Sequence, residues 1–223
     1  MLRAVSVVVI AALGAGCSGG LKSSAPGEQI YVLHPAGAPS PGAGAAMVNA
    51  MLVVPQPEAQ PALNTHRIAL TRPGNRLDYF ADSRWPAALP QVLGALVVES
   101  LVAAKTFSVA AGTDPSAGHG DFQLLMTVRH FEAEYSGDAT DSAPVARVGI
   151  ECLLTSSSPR RVVGRCDAEV REPAGDNRMG EIVGALDRAT QKAVTEMTAK
   201  VVALAGSVPA RQPAQAKSPQ GTP

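Results

Sequence analysis

The residues in this chain that could carry chemistry are three cysteines, four histidines, a close pair of carboxylates and one aromatic cluster. His34, His66, His119 and His130 are scattered, with neither H-E-x-x-H nor a paired Cys/His spacing. They read as surface or hydrogen-bonded histidines and not as metal ligands. Glu132 and Glu134 flank Ala133 and share one face of a strand; solvated edge charges are the expectation there, an acid/base pair the alternative. Gly16-Cys17-Ser18-Gly19-Gly20 matches G-x-S-x-G, but that motif needs a strand before it and a helix after it. Gly42-Ala43-Gly44 follows no strand and opens no helix, and no P-loop is present. The reading is therefore no catalytic residue, no metal, no cofactor and no enzyme.

The aromatic cluster lies in Leu77 to Pro90, which holds Tyr79, Phe80 and Trp85 in a chain of only 4% aromatic residues. Such a concentration marks either a packing corner between a strand and a helix or a surface that meets a partner, since large rings dominate both. The 19 basic and 19 acidic residues balance to a net charge of +0, and no basic stripe suggests nucleic acid.

Cys17 has a different context from the other thiols. Arg3 and the apolar run Ala4 to Leu13 precede Gly14-Ala15-Gly16, a pattern of secretory signals and too short to span a bilayer. A cysteine directly after small residues resembles a bacterial lipobox, with Leu13 one place further back than usual. Diacylglyceryl transfer to the Cys17 thiol would make it the mature, membrane-anchored N-terminus; an ordinary signal peptide cleaved nearby is the alternative. Two acyl chains suffice for stable anchoring at a surface without spanning it.

Positioning these residues requires a domain. The reading places a signal at 1–16, a tether at 17–29, one domain at 30–206 and a Pro/Ala-rich tail at 207–223, too poor in large apolar residues to pack. Short strands are expected at Ile30 to Leu33 and Met47 to Val54, with a loop over Gln56 to Pro61. Arg67 to Leu70 and Arg76 to Phe80 form a hairpin about Arg72-Pro73-Gly74-Asn75. Pro90 suits the first turn of a helix over Gln91 to Lys105 that is apolar nearly all round, so deeply buried or covered by a partner or a second copy.

After a short strand at Phe107 to Ala110, three longer strands alternate in period two. Phe122, Leu124, Met126 and Val128 share a face, and a slip near His130 to Phe131, Ala133 and Tyr135 indicates a β-bulge. Val148, Ile150, Cys152 and Leu154 share the next face; Val162, Gly164, Cys166, Ala168 and Val170 share the last. If the hairpin turns near Pro159, Cys152 and Cys166 oppose each other on the inward side. An exported protein would oxidise them to a disulfide, two buried thiols being the alternative. An amphipathic helix from Met179, capped by Asp176 or Asn177, closes the domain.

Tyr31-Val32-Leu33-x-Pro35, Leu63-Asn64-Thr65-His66-Arg67-Ile68, Asn75-Arg76-Leu77-Asp78-Tyr79-Phe80 and Ser83-Arg84-Trp85-Pro86-x-x-Leu89-Pro90 occur in that order after the cysteine. This series resembles the ABC-type transport auxiliary lipoprotein family, which includes PqiC-like lipoproteins of Gram-negative envelopes. The resemblance implies an α+β fold, an α/β sandwich of a mixed or mainly antiparallel sheet with two long helices. It also implies a non-catalytic component of an MCE-type ABC system moving lipids between inner and outer membranes, with the permease/ATPase complex and an MCE-domain protein as partners. Ser18 after the cysteine fits outer-membrane sorting, facing the periplasm. On that reading Arg67, Tyr79, Phe80, Arg84 and Trp85 are the candidate contact surface, or else they pin the hairpin to the helix. A lipoprotein that itself holds an apolar ligand, and a purely structural envelope protein, are the competing functions.

Overall fold

A computed structural model describes residues 27–37, 48–112, 114, 118, 120–137 and 142–208. These form nine strands and two helices, an α+β fold with a mixed sheet. The organising strand is β7 (Phe122–Glu134), the first of the three alternating strands. Along one edge it pairs antiparallel with β8 (Val145–Ser157), which pairs antiparallel in turn with β9 (Arg160–Pro173). Its other edge is shared by three short parallel strands in succession. β2 (Met51–Val54) meets Phe122 and Gln123, β3 (Glu58–Ala59) meets Thr127 and Val128, and β4 (Arg67–Arg72) meets Glu132 to Glu134. β6 (Ser108–Ala111) extends β2 in parallel, β5 (Arg76–Arg84) returns antiparallel on β4, and β1 (Gln29–Ile30) adds a parallel edge to β5.

The alternation decides which side of the sheet is covered, because successive side chains point to opposite faces. Leu124, Val128, Val148 and Leu154 are fully buried beneath α2 (Met179–Gly206), whose inward stripe is Ile182, Leu186, Ala189, Ala193, Met197 and Val201. α1 (Leu89–Ala104) packs beside it, buries Leu93, Leu96, Val97 and Leu101, and has Pro90 in its first turn. Lys105 ends α1 in a left-handed conformation at φ 53°, its N–H bonded to the Val102 carbonyl.

Several expectations need correction. Only Gln29–Ile30 pairs as β1; Val32 and Leu33 continue without ladder pairing because the chain leaves the edge of β5 to cross the helices. The span expected as a loop over Gln56 to Pro61 contains β3, too short to show a period. α1 is apolar all round in sequence but buries one stripe, leaving Val102 53% exposed. Arg178, not Asp176 or Asn177, occupies the start of α2, with no side-chain cap. The reason is visible in the bonding: the Asn177 side-chain oxygen is taken by the Tyr135 hydroxyl at 2.6 Å, and Asp176 accepts from the Asn177 N–H at 2.7 Å.

Candidate functional site: a polar groove beside the bulge

The bulge read from sequence lies between Val128 and His130, where the β7–β8 register shifts by a residue. Bulges re-aim side chains and bend the strand that carries them. Here the shift sets His130, Glu132 and Glu134 on the outward face, with Phe131, Ala133 and Tyr135 turned inward. Gly149 pairs with His130 across the bulge, and a Cβ there would meet the imidazole Cδ2 at 3.1 Å, so glycine gives the ring its room.

Between this outward face, the loop at Gln60 to Leu63 and the β4–β5 hairpin lies a groove of about 680 Å³. Glu132 lies in its floor. Its side chain is only 7% exposed, which corrects the expectation of a solvated edge charge. β7 is an interior strand, and the loop and hairpin overhang this part of it. An isolated buried carboxylate is unfavourable by several kcal/mol, so it needs donors. It has them: the Phe131 N–H donates to Oε2 at 2.6 Å, and His130 Nδ1 lies 2.9 Å from Oε1.

The walls carry guanidinium groups. Arg147 stands opposite Glu132 in the β7–β8 register yet gives Nε and Nη2 to Glu169 on β9, at 2.9 and 2.7 Å. Arg129 gives Nη2 to Glu151 at 2.7 Å. These donors hold the Glu169 and Glu151 carboxyls below the ordinary glutamate range. Glu134 accepts from Arg171 at 2.5 Å. Arg72 differs: its guanidinium carbon sits 4.8 Å from the Tyr135 ring centroid, and among the described residues no carboxylate pairs with it. Burial pushes the Tyr135 hydroxyl up in pKa, and the Arg72 charge opposes that shift. The arrangement is a set of fixed donors and acceptors along one groove, which is binding chemistry.

The residues singled out by sequence are divided among different places. Cys17 lies outside the described residues. Cys152 and Cys166 are in register on the face under α2 and form a disulfide, with Cα atoms 4.9 Å apart. Trp85 is 1% exposed and meets Phe131 edge-on at 5.8 Å, so it is a core residue and not a surface anchor; the strand-to-helix corner folds inward. Arg67 lies 4.0 Å over the Tyr79 ring, and the Tyr79 hydroxyl donates to the Ala62 carbonyl at 2.9 Å. Arg84 Nε approaches a Glu28 carboxylate oxygen at 2.6 Å without hydrogen-bond alignment. Tyr79 and half-buried Phe80 line a second cleft of about 380 Å³, which shares Arg72 and Tyr135 with the larger groove. Among the described residues no cluster of His, Cys, Asp or Glu could hold a metal, and no helix is long and apolar enough to cross a membrane.

The fold is similar to that of protein XCC0632 from Xanthomonas campestris, a DUF330 protein, with a TM-score of 0.71 and 23% identity over 80% of this chain and 97% of that one. A crystal structure of an uncharacterized protein gives a TM-score of 0.61 at 16% identity, covering 79% of this chain and 99% of that chain. In sequence, the uncharacterized protein bll6063 of Bradyrhizobium diazoefficiens is 25% identical over 158 residues, 70% of this chain; the match spans 40% of that relative's length. The family described as ABC-type transport auxiliary lipoprotein component matches residues 31–198, from the segment after β1 to near the end of α2. The chain belongs to that family of lipoprotein components of ABC-type transport.

Proposed function

We propose that this lipoprotein is a non-catalytic adaptor of an MCE-type ABC system that moves lipids, phospholipids in particular, between the inner and outer membranes of a Gram-negative envelope. Its anchor is Cys17, its partners are the permease/ATPase complex and an MCE-domain protein, and its place is the outer membrane, facing the periplasm.

The observation that carries this reading is how the segment after the anchor is held. The Tyr31 N–H donates to the Arg84 carbonyl at 2.9 Å, and the Ala36 N–H to Ser100 Oγ on α1 at 2.9 Å. The His34 N–H donates to Asp187 on α2 at 2.7 Å, with His34 Nδ1 at 2.9 Å from the same carboxylate. The chain from the membrane is thus fastened to β5 and to the helix layer, while the groove opens on the other side of the sheet. The ten positions from Cys17 to Gly27 reach at most about 35 Å. Such a tether keeps the domain close to the bilayer with its polar face clear for partners. A filled interior and open clefts favour this adaptor over a protein that encloses an apolar ligand.

Crosslinking in intact cells followed by purification from membranes tests the reading. The permease, ATPase and MCE subunits are expected to co-purify; recovery of the lipoprotein with none of them rejects the adaptor. Cys17→Ala is expected to release the protein from the membrane fraction.

A further inference from the structure

We propose that the groove beside the bulge binds a phosphate ester, with Arg72 as its principal contact. Of the guanidinium groups that line the groove, Arg72 alone has no carboxylate partner among the described residues. Among the described residues, the guanidinium groups Arg72, Arg129 and Arg147 line the groove with the carboxylates Glu132 and Glu134, and Arg171 engages Glu134 from β9. Arg129 and Arg147 each bond a single carboxylate, Glu151 or Glu169, and neither of those lines the groove. A guanidinium has five donors, so Arg147, after two bonds to Glu169, retains donors on Nη1.

Arg72 is the sharper case. It is half-buried, held over the face of Tyr135, and Tyr135 is itself 4% exposed and tied through its hydroxyl to Asn177. A planar fork fixed on an anchored ring, with no carboxylate of the described residues on it, is prepared for an oxyanion that accepts two parallel N–H bonds, and phosphate has that geometry. The volume of about 680 Å³ is far larger than a bare phosphate needs and falls in the range of organic ligand sites. Leu63 and Leu77 on the lining, the latter 41% exposed, give an apolar rim beside the charged floor. The ligand is therefore a phosphate carried on an organic body. Glu132 and His130 at the floor stand ready for a hydroxyl or ammonium on that body. Under the lipid-transport reading, on which its biological source rests, this body is a lipid headgroup; a soluble phosphate ester offers the same chemistry.

Calorimetric titration of the full lipoprotein in detergent distinguishes these. The probes are dihexanoyl phosphatidylglycerol, sn-glycerol 3-phosphate and, as the phosphate-free control, dihexanoylglycerol. Saturable binding of the phosphate-bearing probes is expected, with no binding of the control. Arg72→Met is expected to weaken it about tenfold or more and Arg72→Lys by less, since lysine keeps the charge without the fork. Tighter binding of the lipid than of glycerol 3-phosphate assigns a lipid headgroup; equal binding assigns a soluble ester. Failure of both phosphate probes, equal binding of dihexanoylglycerol, or unchanged affinity in an Arg72→Met protein that melts like the parent overturns the site. Co-purification with the transporter is read separately: losing it while phosphate binding persists rejects the adaptor and leaves the groove standing.

Discussion

On one side of β7, β8 and β9, Leu124, Val128, Val148, Leu154 and the Cys152–Cys166 bridge pack under α2; on the other, Arg129, Glu132, Arg147, Glu151 and Glu169 meet solvent and the groove. Both sets come from alternate positions of the same strands, so local backbone and propensity are held nearly constant between them. The difference lies in what covers them. The helix side is specified by volume, and a changed volume is felt through the whole packed core. The open side is specified by charge, where water takes over much of the work of any lost partner. Substitutions on the first side should act on stability, and those on the second on binding.

The largest effect is expected at the corner the sequence marked for contact. Trp85→Ala removes a fully buried ring and its edge-on contact with Phe131, and should destabilise by about 3–5 kcal/mol in chemical denaturation. Arg67→Ala, on the same corner but exposed over Tyr79, should change stability by less than about 1 kcal/mol. Equal losses would erase the distinction between the buried and open positions. Next comes the disulfide. The paired change Cys152→Ala with Cys166→Ala releases a closed loop of sequence separation 14, for a loss of roughly 3 kcal/mol in the chain-entropy account. The same shift in denaturation midpoint is expected on adding reductant to the parent protein.

Glu132 falls between the two classes and sharpens the comparison: it is on the open side by register and buried by environment. Glu132→Ala strands the Phe131 N–H and the His130 ring, and should lower stability by about 1–3 kcal/mol. Glu132→Gln keeps an acceptor and should lose less. A neutral outcome for Glu132→Ala would place this carboxylate with the solvated charges.

How much of this was legible in the chain depends on range. The cross-strand cysteines were legible because period-two alternation puts both on the inward face about a turn near Pro159; strict counting from the Ser157–Arg160 pair stops at Arg165, and the register shift between Leu154 and Thr155 brings Cys166 opposite Cys152. The bulge at His130 was legible from a slip in that alternation. Trp85 was legible as important but not as buried, since residue type gives size and not direction. The burial of Glu132 follows from a loop and hairpin some 60 to 70 positions earlier in the chain, and no local pattern announces it. Arg72 on Tyr135 and Tyr135 on Asn177 are likewise meetings of distant segments, fixed by β4 lying beside β7 and by the start of α2. The groove is a product of topology, and topology is what a single sequence shows least.

The smallest effect expected is also the cleanest measure of the open face. Arg147→Gln leaves every residue under α2 in place and removes one partly exposed ion pair, so its stability loss should stay below about 1 kcal/mol. Its signature is in the pH dependence. Glu169 and Glu151 are more acidic in the folded chain than the ordinary glutamate value of 4.5, because Arg147 and Arg129 hydrogen-bond their ionised forms. A carboxylate depressed by folding stabilises in full above the unfolded value and loses that contribution as pH falls through the folded one. Melting temperature should therefore fall off below about pH 4.5 in the parent and fall less steeply in Arg147→Gln, with added salt narrowing the gap. Parallel acid limbs would mean that Arg147 contributes nothing to folding through Glu169, and that this guanidinium is held in place for something other than the fold.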